Sequence, residues 1–184
     1  MSEPQRQPGQ RRLRAQPVGD LAESLPWRRA LPLVIVETLG LSVLAAAYLL
    51  LDARKMTTGP LLIPLAVTFV LITAAPGARA ARPLRVFLAY VIAAGVGLGI
   101  SALPGSQLPE VILSVFVTLL LMHLLGVFHA PAVGVALVAV ITDYSLSDAL
   151  VSFAELMPLT VLTLALAWLS HRVLGDAGYP DRWW

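Results

Sequence analysis

Between positions 123 and 142 the chain reads His-Leu-Leu-Gly-Val-Phe-His-Ala-Pro-Ala-Val-Gly-Val-Ala-Leu-Val-Ala-Val-Ile-Thr. His123 and His129 are the ionisable groups of this apolar stretch, and Pro131 follows His129 by two positions. Proline is favoured in the first turn of a helix, because the N–H it lacks has no intrahelical partner there. The sequence therefore predicts a helix ending near His123, a break, and a short helix with Pro131 in its first turn. A helix start leaves unpaired N–H groups and the positive end of the helix dipole, and such ends bind anions. Two readings of His129 stand side by side. With the amides of Ala132 and Val133 it forms an anion or carboxylate site, or it caps the preceding helix by donating to its last carbonyls. His123 is read first as a packed or interhelical hydrogen-bonded histidine, and second as part of the same site.

Other polar residues stand out because burying charge in lipid is expensive. Glu37 lies about one turn into the first apolar run, where it reaches headgroups, pairs with an arginine or takes a proton during transport. Arg82 and Arg85 read as membrane-flanking anchors or as a vestibule that collects anions. Thr68 lies four residues after Pro64, close enough to bond backbone that the proline frees, with a substrate contact as the rival role. Pro158 is a second candidate kink. Glu155 is expected to open the last helix and complement its dipole, and Asp143 to be solvated just beyond the short helix. Gly95 and Gly99, and Ala89, Ala93 and Gly97, are small residues at helical spacing that let backbones approach closely. Trp27, Trp168, Trp183, Trp184 and Tyr179 read as interfacial anchors.

The elements that would carry these residues are long apolar runs at 33–51, 61–75, 84–103, 111–128 and 153–169, with a shorter one at 130–142. Of the 184 residues, 58% are hydrophobic and 13% charged, against about half and about a quarter in ordinary globular domains. Mean hydropathy is +0.80. A helix rises 1.5 Å per residue, so crossing a bilayer core takes roughly 20 residues. Residues 111–121 and 86–108 contain no charged side chain, so these helices lack the charged stripe that a soluble bundle needs. Period-2 alternation, the mark of a membrane β-barrel, is absent. The absence of cysteine excludes disulfides, a thiol nucleophile and an iron–sulfur cluster. No phosphate-binding loop and no nucleophile elbow occurs, so catalysis is not expected, and neither a metal nor another cofactor is expected.

Residues 1–32 read as a disordered basic tail with six arginines: Arg6, Arg11, Arg12, Arg14, Arg28 and Arg29. A nucleic-acid arm is the rival for such a tail, but the apolar runs that follow favour a membrane-flanking role. A signal peptide fits poorly, since the next apolar run is too long and contains Glu37. Placing the tail and Arg79, Arg82 and Arg85 in the cytoplasm puts nine basic residues inside, with Arg54 and Lys55 outside. If 130–142 crosses the membrane, Asp143 and Asp148 lie outside and the C-terminal tail, 175–184, lies inside. Crossing is favoured over re-entry.

The stretch His129-Ala130-Pro131-Ala132-Val133-Gly134-Val135-Ala136-Leu137 resembles the HPP family of small bacterial and plastid membrane proteins, named for a His-Pro-Pro motif. Ile72-Thr73-Ala74-Ala75-Pro76, Arg82-Pro83-Leu84-Arg85 and Trp168-Leu169-Ser170-His171-Arg172 are similar to other family stretches, and the resemblance covers roughly 33–174. Two departures are Ala130, where the family has proline, and Leu65-Ala66-Val67-Thr68-Phe69, where it has a patch of small residues. The resemblance implies an integral membrane protein, and some relatives are linked to nitrite transport.

The expected fold is all-α, a polytopic transmembrane bundle of five long helices plus one short helix after His129, with the membrane domain at 33–174. The expected function is a transporter or channel for a small inorganic anion, nitrite foremost, in the bacterial inner membrane, with a cytoplasmic N-terminus. His129, Pro131, Ala132, Val133, His123 and Thr68 are the expected substrate contacts, and Glu37 and Arg82 the gating or coupling residues. Expected partners are the lipid bilayer, the anion and further copies of the chain, with no nucleic acid. The alternative is a non-transporting membrane subunit that assembles a larger complex. A water-accessible polar cavity at His129 would mark the transporter, and a dry interface the subunit.

Overall fold

The computed structural model describes residues 27–51, 59–175, 178–180 and 182–184. The tail up to residue 26, together with Arg54, Lys55, Asp176 and Asp181, lies outside the described residues. Among those described there are six helices and no strand: α1 Trp27–Leu51, α2 Leu62–Ala74, α3 Pro83–Ser101, α4 Gln107–Leu124, α5 Ala130–Thr142 and α6 Leu146–Val173. The all-α bundle is as expected. Four helices are long and apolar enough to cross a membrane. The remaining two are short, not one: α2 and α5 have 13 residues each, and a 3₁₀ turn at Gly59–Leu61 leads into α2. Helix α1 begins at Trp27, inside the segment expected to be tail.

The lengths follow a pattern that the runs alone did not display. Each half of the chain is long, short, long: 25, 13 and 19 residues, then 18, 13 and 28. Helix α3 is the centre of the bundle and packs most extensively on α5. The approach is close because Gly97 has no side chain: a Cβ there would lie 2.6 Å from the Cα of Ala136. Ala89 and Ala93 continue this buried small-residue face, whereas Gly95 and Gly99 look outward onto open space. Helix α1 closes the other side, where the Phe69 ring fills the space beside Gly40.

Helix α5 crosses the bundle. It runs back along α4, with Ser114 Oγ donating to the Ala136 carbonyl at 3.2 Å and Gln107 Nε2 donating to the Ile141 carbonyl at 3.0 Å. Its end therefore lies level with the start of α4. Arg79, Arg82, Arg85 and Arg172 lie at one end of the bundle, and Glu110, Asp143 and Asp148 at the other.

Two local expectations need correction. Pro64 is in the first turn of α2, where its missing N–H breaks no helical bond, so it introduces no kink. Pro158 does lie inside α6. That helix opens at Leu146, so Glu155 is well within it. The start is capped instead by Ser145, whose Oγ accepts from the Asp148 N–H at 3.2 Å, and Asp148 supplies the first-turn acid.

Candidate functional site

The break before α5 has a local cause. Gly126 adopts φ +66°, the left-handed conformation glycine takes without strain, and ends α4. Its N–H donates to the His123 carbonyl at 3.2 Å, and the Val127 N–H donates to the Met122 carbonyl at 2.9 Å. This paired arrangement closes a helix C-terminus. The chain then extends through His129 (φ −142°, ψ 103°), and Pro131 falls in the first turn of α5 as expected. The geometry turns the His129 side chain into the bundle, where it is fully buried.

There His129 meets Thr68 of α2 and the turn before α3. Its Nδ1 lies 2.8 Å from the Ala80 carbonyl oxygen, and its Nε2 lies 2.8 Å from Thr68 Oγ1. Thr68 Oγ1 lies 2.6 Å from the Tyr90 hydroxyl of α3. A carbonyl only accepts, so Nδ1 carries a proton and donates to Ala80. In the neutral ring Nε2 then accepts from the Thr68 hydroxyl, which in turn accepts from Tyr90. One donor direction, Tyr90 to Thr68 to His129 to Ala80, satisfies this buried chain from α3 through α2 to the start of α5.

Neither sequence reading of His129 describes this arrangement. The imidazole does not cap α4, since its partners lie on α2 and in the Arg79–Ala81 turn. Nor does the α5 start offer a row of free amides. Pro131 has none, and the Ala132 N–H donates to the His129 carbonyl at 3.1 Å. Ala132 is buried and Val133 half-buried beside it. Thr68 joins His129, with its hydroxyl committed to Tyr90 and His129.

His123 does not join them. It is exposed, its Nδ1 donates to the Leu119 carbonyl of its own helix at 2.8 Å, and its ring packs 4.9 Å from that of Phe128. Glu37 sits apart from His129 and accepts a 2.7 Å hydrogen bond from Thr73 of α2. Arg82 precedes α3 and donates through Nη1 to the Trp184 carbonyl oxygen at 2.7 Å. Tyr90 is the member that sequence reasoning missed. Its signal was available, since it is the one polar-tipped side chain between Arg85 and Ser101. Among the described residues, no cluster of His, Cys, Asp or Glu is placed to hold a metal.

Six apolar helices, four of them long enough to span a bilayer, define a polytopic membrane protein. Residues 22–180 match the family model described as HPP, transmembrane region, so the chain belongs to the HPP family. No curated protein and no solved structure matches it.

Proposed function

We propose that this protein moves a small inorganic anion across the membrane, and that the contact between α2 and α5 is its gate. The observation that carries this reading is the paired short helices, which occupy corresponding places in the two halves and are joined by the Thr68–His129 hydrogen bond. Short or interrupted helices in corresponding places mark the binding site in many transporters. The Thr68–His129 bond holds this proposed gate closed. Parting α2 from α5 frees the Thr68 hydroxyl as a donor for an anion, and the His129 imidazole becomes a second donor at Nε2 on taking up a proton. Nitrite is the first candidate, because some HPP relatives are linked to it. The basic end of the bundle faces the cytoplasm of the inner membrane by the positive-inside rule. The outward face of Gly95 and Gly99 is the proposed contact between copies of the chain.

A second reading has its own support. His129 is fully buried and each of its ring nitrogens has a protein partner, as in a structural joint. In that case the protein is a non-transporting subunit of a larger membrane complex. Purified protein in liposomes separates the two when nitrite, nitrate, chloride and formate uptake is measured in parallel, with and without a pH gradient. The transporter gives saturable flux for at least one anion. Folded protein that passes none of them is the subunit.

A further inference from the structure

The residues after α6 fold back over the start of α3. The Leu84 N–H donates to the Trp183 carbonyl at 3.1 Å, beside the Arg82–Trp184 bond. The Tyr179 hydroxyl donates to the Ala81 carbonyl at 2.9 Å, and its ring packs 4.6 Å from that of His171. Tyr179 is thus a buried strut rather than the interfacial anchor expected of it. Burial holds its phenol above the usual tyrosine range, so it stays protonated and keeps donating.

Between this folded segment and α6 lies a crevice of about 480 Å³, lined by Pro83, Val161, Ala165, Trp168, Tyr179 and Trp183. That volume falls in the range of roughly 300–1,000 Å³ typical of small-molecule sites. The walls are apolar, but the surroundings are not. The Arg172 guanidinium lies 5.2 Å from the ring centre of Trp168, and that of Arg85 lies 5.2 Å from the ring centre of Trp184. The Nε atoms of Arg82 and Arg85 are buried without a hydrogen-bond partner. Apolar walls beside arginines already steered by tryptophans match a ligand with a hydrocarbon tail and an anionic head.

We propose that this crevice binds one anionic phospholipid, with an acyl chain between α6 and the folded C-terminal segment and the phosphate against Arg85. The phosphate oxygens accept from the accessible part of the Arg85 guanidinium, and Arg172 adds positive charge beside Trp168. Basic pockets between membrane helices on the cytoplasmic side suit such headgroups. A free anion would use the arginines but not the apolar walls.

Native mass spectrometry of the detergent-purified full chain tests the proposal, with phosphatidylglycerol, phosphatidylcholine or inorganic phosphate added. Wild type is expected to hold one phosphatidylglycerol with about tenfold preference over phosphatidylcholine. Arg85→Gln with Arg172→Gln is expected to erase the preference while leaving chain binding, and Arg82 is spared because it also holds the C-terminal segment. Ala165→Phe is expected to abolish binding of both lipids by filling the crevice, and Val161→Phe does the same if that variant does not fold. Equal binding of the two lipids by wild type overturns the proposal. So does displacement of phosphatidylglycerol by inorganic phosphate, or unchanged lipid binding by a folded crevice-filling variant.

Discussion

His129 Nε2 and Thr68 Oγ1 lie 2.8 Å apart across the contact between the two short helices, and both side chains are fully buried. Thr68→Val keeps the shape of the side chain but removes its hydroxyl. It leaves Tyr90 and His129 each with a buried polar atom short of a partner. Stranding buried polar groups in this way costs about 1–3 kcal/mol. The detergent-solubilised variant is expected to unfold at a lower temperature than wild type, and Thr68→Ser to restore most of the loss.

The three α3 glycines are expected to differ sharply. A Cβ on Gly97 meets the Ala136 backbone, whereas Gly95 and Gly99 have nothing within 4 Å. Gly97→Leu forces α3 from α5 and costs about 1–3 kcal/mol or more, as overpacking does. Gly95→Leu and Gly99→Leu leave the unfolding temperature of the single chain near wild type. If copies of the chain meet on that face, the same two variants lower the assembled mass measured by light scattering.

The helices were legible in the sequence because membrane-spanning segments are apolar all round and turns between them are not. Pro131 marked the start of α5 for a stereochemical reason that holds wherever a helix begins. The site was harder to read. Thr68, Tyr90 and His129 are separated by 22 and 39 residues, and only the packing of α2, α3 and α5 brings them together. His123 and His129 are close in sequence, yet the Gly126 turn sends one side chain outward and the other inward. Their proximity in the chain was no guide to a shared site. The length of α6 was also hidden, because Ser145 and Asp148 start it within a polar stretch that reads as a turn.

Orientation is open to direct test because the chain has no native cysteine. Ala78→Cys lies in the turn between α2 and α3, and Ser106→Cys and Ser147→Cys precede α4 and open α6, all three at exposed positions. In intact cells stripped of the outer membrane, an impermeant thiol reagent is expected to label positions 106 and 147. Position 78 should label only after the membrane is opened. Labelling 106 and 147 from opposite sides would show that α5 does not cross.

Flux through His129 variants tests the central claim most directly. Nitrite uptake into liposomes is measured for wild type, His129→Ala, Thr68→Val and His123→Ala, each checked for folding. Saturable wild-type uptake is expected to fall at least about tenfold in the first two, the scale of a lost hydrogen bond to the anion. His123→Ala, altered on the exposed face of α4, is expected to retain it. Wild-type flux that persists unchanged in folded His129→Ala and Thr68→Val would contradict a gate at the contact between α2 and α5.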